Sequence, residues 1–163
     1  ARIRQAMPDC AITTDIIAGF CGETEQDHQD TLDIMRRVKY DYAYMFQYSE
    51  RPGTLAARKY PDDIVPQEKT RRLNEIIALQ NELSLESNKK DVGKVLTVLV
   101  EGTSKRSDKE LCGRASNNKM CVFPAELAEA SEPTAPGRYH VGDYVKVEVL
   151  SCTSATLICK IAE

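Results

Sequence analysis

Near residue 92 the spacing of apolar residues changes from a helical repeat to alternation, so the chain must build two different kinds of core. Upstream, residues 66–91 set Leu73, Ile76, Ile77, Leu79, Leu83 and Leu85 among Arg and Glu, which predicts one long helix after the breaks at Pro61 and Pro66. Downstream, Val95, Leu96, Val98 and Val100 alternate incompletely in a first strand. Short strands follow at 111–115, 119–123, 144–150 and 155–161, with turn chemistry at Asn117-Asn118, Pro136-Gly137, Gly142-Asp143 and 151–154. Five short antiparallel strands predict a small closed or nearly closed barrel of the oligonucleotide-binding (OB) kind. Residues 124–137, rich in Ala, Glu and Pro, read as a long flexible insertion.

The first part reads as α/β. Residues 10–20 form a β-branched run too apolar for a one-sided strand, which suits a parallel strand covered on both faces. A helix capped by Thr24 or Glu23 comes next, with Asp27 three residues after Thr24 and Leu32, Met35 and Val38 at helical spacing. A strand at 42–48 completes a βαβ unit. One such unit cannot bury both faces of its sheet, and the chain starts without Met in a charged, helix-like stretch. Both features suggest an excised piece with further elements before Ala1. The expected fold class is α/β plus all-β, with an α/β portion and connecting helix at 1–91 and an antiparallel barrel at 92–163.

Charge narrows the functional classes. Thirteen basic face sixteen acidic side chains in residues 1–91, and nine face nine in 92–163, so neither part is the strongly basic surface of a general nucleic-acid binder. RNA binding would have to rest on local patches. The six cysteines, at 10, 21, 112, 121, 152 and 159, show no two- or three-residue gaps of the metal-knuckle kind, and read as structural thiols in a reducing cytosol. With neither a secretory signal nor a long apolar run, the expected location is cytoplasmic.

Candidate chemistry gathers at the strand ends. The turn at 19–24 lies at the carboxyl end of a parallel strand, where α/β folds bind ligands. Gly19 and Gly22 would admit a ligand to the backbone, and Asp15 or Glu23 could accept from ribose hydroxyls or an ammonium. Equally, the two glycines shape a turn and Glu23 stabilises the helix N-terminus. At the second strand end Arg51 could pair with an anion and Tyr48 offers a stacking surface, or the segment is an ordinary Pro-Gly turn. His28 and His140 read as lone surface residues. In the barrel, Lys105, Arg106, Lys109, Arg114 and Lys119 occupy strand-adjacent loops, as phosphate contacts or as solvated charge, and Asn117 and Asn118 could read bases or ribose.

Three segments together resemble the carboxyl-terminal portion of radical S-adenosylmethionine (SAM) methylthiotransferases: Thr14-Asp-Ile-Ile-Ala-Gly-Phe-Cys-Gly-Glu-Thr24, Phe46-Gln-Tyr-Ser-Glu-Arg-Pro-Gly-Thr54, and Val100-Glu-Gly-Thr-Ser-Lys105 with Gly113-Arg-Ala-Ser-Asn-Asn118. They cover essentially the whole chain in the family's order. Tyr-Ser-Glu-Arg-Pro-Gly-Thr and Glu-Gly-Thr-Ser-Lys look most like the tRNA-modifying MiaB branch. The resemblance implies the end of a partial (β/α) radical SAM barrel followed by a TRAM barrel. It implies an enzyme that methylthiolates carbon 2 of an isopentenylated adenosine beside the tRNA anticodon, using SAM, two 4Fe-4S clusters and an electron donor.

Carried to this chain, the resemblance puts Asp15, Gly19, Gly22, Glu23, Tyr48 and Arg51 at the SAM pocket. It puts Lys105, Arg106, Arg114, Asn117, Asn118 and Lys119 against tRNA. The radical-cluster motif Cys-x-x-x-Cys-x-x-Cys and the second cluster's cysteines are missing, so no catalytic or metal-ligating residue is expected here and the piece alone should be inactive. Cys21 stands where many relatives carry Pro, with no cluster role. Alternatives are the RimO branch, acting on an aspartyl side chain of a ribosomal protein, and a stand-alone RNA-binding adaptor. Unpaired strand edges make self-association a further expectation.

Overall fold

The computed structural model describes residues 2–125 and 139–162; the predicted insertion at 124–137 lies almost wholly outside them. The chain divides into two compact units, one of residues 1–6 and 11–84 and the other of residues 7–10 and 85–163.

In the first unit, helix α1 (Arg2–Ala6) precedes strand β1 (Thr13–Ala18), helix α2 (Glu25–Val38) and strand β2 (Tyr42–Gln47). β1 and β2 pair in parallel from Thr13 with Tyr42 to Ala18 with Gln47, so the expected βαβ unit forms. Thr24 caps α2 reciprocally with Asp27, satisfying donors at the helix start. Helix α3 (Leu55–Lys59), capped by Thr54, follows the Pro52-Gly53 turn over residues the sequence reading left unassigned. Helix α4 (Pro66–Lys89) matches the predicted long helix, its residues from Leu85 belonging to the second unit.

Helix packing covers one face of the β1–β2 sheet. Ala18, Leu32, Met35, Ile76 and Leu83 are its buried core, with Ile16, Met45, Leu73 and Leu79 against it. On the other face Ile17, Tyr42, Tyr44 and Phe46 are all about half exposed. The buried stripe of α4 is mostly polar, because Lys69, Arg72, Gln80 and Ser84 share it at helical spacing with Ile76 and Leu83. Gln80 Nε2 donates to the Tyr40 carbonyl at 2.9 Å, and Ser84 Oγ to the Asp41 carbonyl at 2.9 Å. These bonds satisfy the chain entering β2, where buried carbonyls would otherwise cost stability.

The second unit is a closed barrel of β3 (Val95–Ser104), β4 (Ser107–Ala115), β5 (Met120–Pro124), β6 (Tyr144–Cys152) and β7 (Leu157–Ile161), in the order β3-β4-β5-β7-β6. The expectation of an all-antiparallel barrel is corrected: β5 and β7 pair in parallel through Cys121 with Leu157 and Val122 with Ile158. The reason is parity. Strand directions must alternate at every antiparallel junction, and a ring of five strands cannot alternate all the way round. Inward Val98, Val100, Phe123, Val145, Val147, Val149 and Leu157 fill the core.

Gly113, in the segment that resembled a recognition motif, is needed for closure. A side chain there would collide with the Leu99 carbonyl, beside the irregular register between Val100 and Gly102. Cys121 and Cys159 lie in the same core, and the neighbouring Cys159 thiol together with burial pushes the Cys121 thiol above its ordinary range. No helix among the described residues is long and apolar enough to cross a membrane.

Candidate functional site

Two places collect the candidate residues. The first is the carboxyl end of the parallel strands, where Tyr48 N donates to the Ala18 carbonyl at 2.8 Å and carries the ladder one step past the last paired residues. Both chains then leave the sheet side by side.

After β1 the backbone reverses at Gly19 (φ 75°) and Gly22 (φ 77°), both in the left-handed region that favours glycine. Glu23 braces the turn: its Oε2 accepts from Gly19 N at 2.8 Å and its Oε1 from Arg72 Nη1 at 2.9 Å, while Arg72 Nη1 also reaches the Glu23 carbonyl. Both carboxylate oxygens are therefore engaged within the turn. Gly22 N donates to Asp63 Oδ1 at 2.8 Å, and a side chain at Gly22 would meet nothing within 4 Å, so that position opens outward. Gly19 faces inward, and its built Cβ would lie 2.5 Å from Lys69 Cγ.

Tyr48 packs edge-on against Phe20 at 5.0 Å, and Phe20 in turn against Tyr60 at 6.4 Å. The Tyr48 hydroxyl is shielded from solvent without a partner at ordinary hydrogen-bond geometry. The Cys21 thiol beside it, together with burial, raises its pKa to about 12. Arg51 is exposed just beyond. Asp15 lies apart from this turn, three residues back in β1 and paired with Tyr44; it is exposed and lines a shallow groove with Asp30 and Ile34 of α2.

Beneath the turn runs an ion-pair network that sequence reading did not find. Arg72, 5% exposed, also bonds Glu68 at 2.9 Å, and Arg71 pairs with Glu25, Glu68 and Glu75. Hydrogen bonds from Arg71 and Arg72 outweigh desolvation and hold Glu68 down to about 2. His28 corrects the surface expectation: it is 1% exposed, with Nε2 2.8 Å from Glu75 Oε2, because it falls on the face of α2 that packs under α4. His140, its side chain 77% exposed, does lie on the surface. The available signal for the missed residues was spacing, since 69, 72, 76, 80 and 83 form one helical stripe.

The second place is the barrel's hairpins. Lys105 and Arg106 form the two-residue turn between β3 and β4, and both are exposed. Lys109 lies within β4 rather than in a loop. At the opposite hairpin the candidates bind one another. Arg114 Nη1 donates to the Asn118 carbonyl at 3.1 Å and Nε lies 3.5 Å from Glu101 Oε2; Asn118 takes a left-handed φ of 62°.

Lys119 Nζ lies 2.7 Å from Asp91 Oδ2 and donates to the Ser87 carbonyl, while Asn117 Nδ2 reaches the same Asp91 oxygen at 3.3 Å. Burial would raise the Asp91 pKa, but hydrogen bonds from Lys119 and Lys94 outweigh it and hold the carboxyl below its ordinary value. Lys119 and Asn117 thus close the base of the barrel, and Lys105 and Arg106 keep the outward charge. No group of three or more His, Cys, Asp or Glu among the described residues could hold a metal ion.

Residues 89–161 match the family described as TRAM domain. Proteins named tRNA-2-methylthio-N(6)-dimethylallyladenosine synthase align along nearly the whole chain. That of Phocaeicola vulgatus is 50% identical over 157 residues, covering 96% of this chain and 32% of the relative. The Amoebophilus asiaticus protein is 54% identical over 153 residues, covering 94% and 29%, and the Porphyromonas gingivalis protein 47% identical over all 163, covering 100% and 33%. The chain spans about a third of the length of these curated relatives.

Proposed function

We propose that this chain is the part of a tRNA methylthiotransferase that holds tRNA and completes the SAM pocket. The supporting observation is the near-continuous identity of about half with synthases named for that reaction. The parent protein methylthiolates carbon 2 of an isopentenylated adenosine in tRNA, in the cytoplasm. The α/β unit is the end of its partial (β/α) barrel.

The two groups the family implies fit this chain differently. The described residues hold no set of ligands for a 4Fe-4S cluster. SAM fits the strand-end turn, where Gly22 opens outward and exposed Arg51 offers a positive charge for its carboxylate; Asp15, further back along β1, stands outside that turn. When bound, SAM supplies the methyl group and the radical chemistry of the reaction. Gly19, Glu23 and Tyr48 hold the turn that receives it. On the barrel, Lys105 and Arg106 contact phosphate, with Arg114 and Asn118 at the other hairpin; Asn117 and Lys119 set that hairpin's shape.

Incubating the full-length protein with SAM, a reductant and isopentenylated tRNA, then digesting the tRNA for mass spectrometry, tests the reading. A 2-methylthio nucleoside is the expected product. Methylthiolation of a ribosomal-protein aspartate instead would move the assignment to the RimO reaction, and tRNA binding without either product would leave an RNA-binding adaptor.

A further inference from the structure

One side chain meets every backbone segment that forms the strand-end turn. Lys69 of α4 is 5% exposed, and a charged lysine so buried costs stability unless fully partnered. Its Nζ lies 2.6 Å from both Asp62 oxygens, 3.4 Å from the Tyr48 carbonyl and 5.1 Å from the centre of the Tyr48 ring. Its stem fills the space where Gly19 lacks a side chain. Lys69 therefore touches the end of β1, the end of β2 and the 60–65 segment, which itself holds Gly22 N through Asp63.

We propose that Lys69 is a positioning residue for the SAM pocket, setting the Gly19–Gly22 turn against Tyr48 through its ion pair with Asp62. The inference rests on the SAM reading above. A leucine or methionine would fill the same volume under Gly19 at lower desolvation cost; what lysine adds is a charged bond that fixes the 60–65 segment relative to both strand ends. Asp62, its side chain one third exposed, can be changed without touching the helix.

The test uses the full-length protein and S-adenosylhomocysteine as a non-reacting probe, with tRNA affinity measured in parallel. Lys69→Met keeps the stem and removes the charge; Asp62→Asn removes the partner. Each is expected to weaken probe binding about tenfold, by loosening the turn rather than deleting a ligand contact. The double variant is expected to be no worse than either single, the mark of one coupled interaction, with tRNA affinity within about twofold of wild type.

Effects of the two changes that multiply, or parallel loss of probe and tRNA binding, would make Lys69 merely structural and overturn the proposal. Arg51→Ala and Tyr48→Leu separate the two levels. If these weaken probe binding while Lys69→Met and Asp62→Asn do not, the positioning role fails and the SAM reading stands. If all four bind as wild type does, both fail.

Discussion

The barrel closes on itself and the α/β unit does not. Every strand of β3–β7 has two paired neighbours, and the core lies inside one ring. β1 and β2 have one neighbour each, and the sheet face carrying Ile17, Tyr42, Tyr44 and Phe46 stands open. The units accordingly spend polar residues in different places. The barrel confines its buried ion pair to its base, at Asp91 and Lys119, while the α/β unit runs Lys69, Arg72, Glu23 and Glu68 beneath its candidate site. A closed apolar core needs little further specification, whereas a turn that must hold a fixed shape at an open sheet end needs directional bonds.

Gly113→Val should break the contrast most severely. The added side chain has no room at the Leu99 carbonyl, and a loss above ~4 kcal/mol is expected, read as a barrel that no longer melts cooperatively. Asp91→Ala comes next at about 3 kcal/mol by denaturant melts, since it leaves Lys119, at 12% exposure, with the Ser87 carbonyl but without its counter-charge. A loss below ~1 kcal/mol would show that the base of the barrel is dispensable.

The same carboxyl makes barrel stability pH-dependent. Its folded pKa lies below the ordinary value of 3.8, so its contribution is complete above that value and is lost as pH falls through the folded pKa. Acid melts should show this sensitivity in the wild type and a reduced one in Asp91→Asn.

In the α/β unit, Thr24→Ala removes the α2 cap and should cost about 1 kcal/mol, leaving the barrel's transition in place. The smallest stability change, under ~0.5 kcal/mol, belongs to Lys105→Ala with Arg106→Ala, yet this pair should weaken tRNA binding and flatten its salt dependence. Unchanged affinity would remove that hairpin from the tRNA surface.

Much of the fold was readable from local pattern. The period change, the Thr24-Asp27 cap and the two parallel strands all follow from short-range chemistry, and the structure forms them where expected. The candidate site was readable only in part. Gly19 and Gly22 share a sequence pattern and a left-handed backbone, yet one faces Lys69 and the other opens outward. Lys119 and Lys105 are equal as letters, but one is turned to Asp91 and the other to solvent.

By itself, then, the sequence determined an α/β part, a barrel part and their element types, because these depend on periodicity along the chain. Only the tertiary structure decided the parallel β5–β7 junction, the burial of His28 and the partners of Lys69. Those depend on which residues distant in sequence meet, and ring parity, helix-to-sheet packing and the need to pair every buried charge set those meetings.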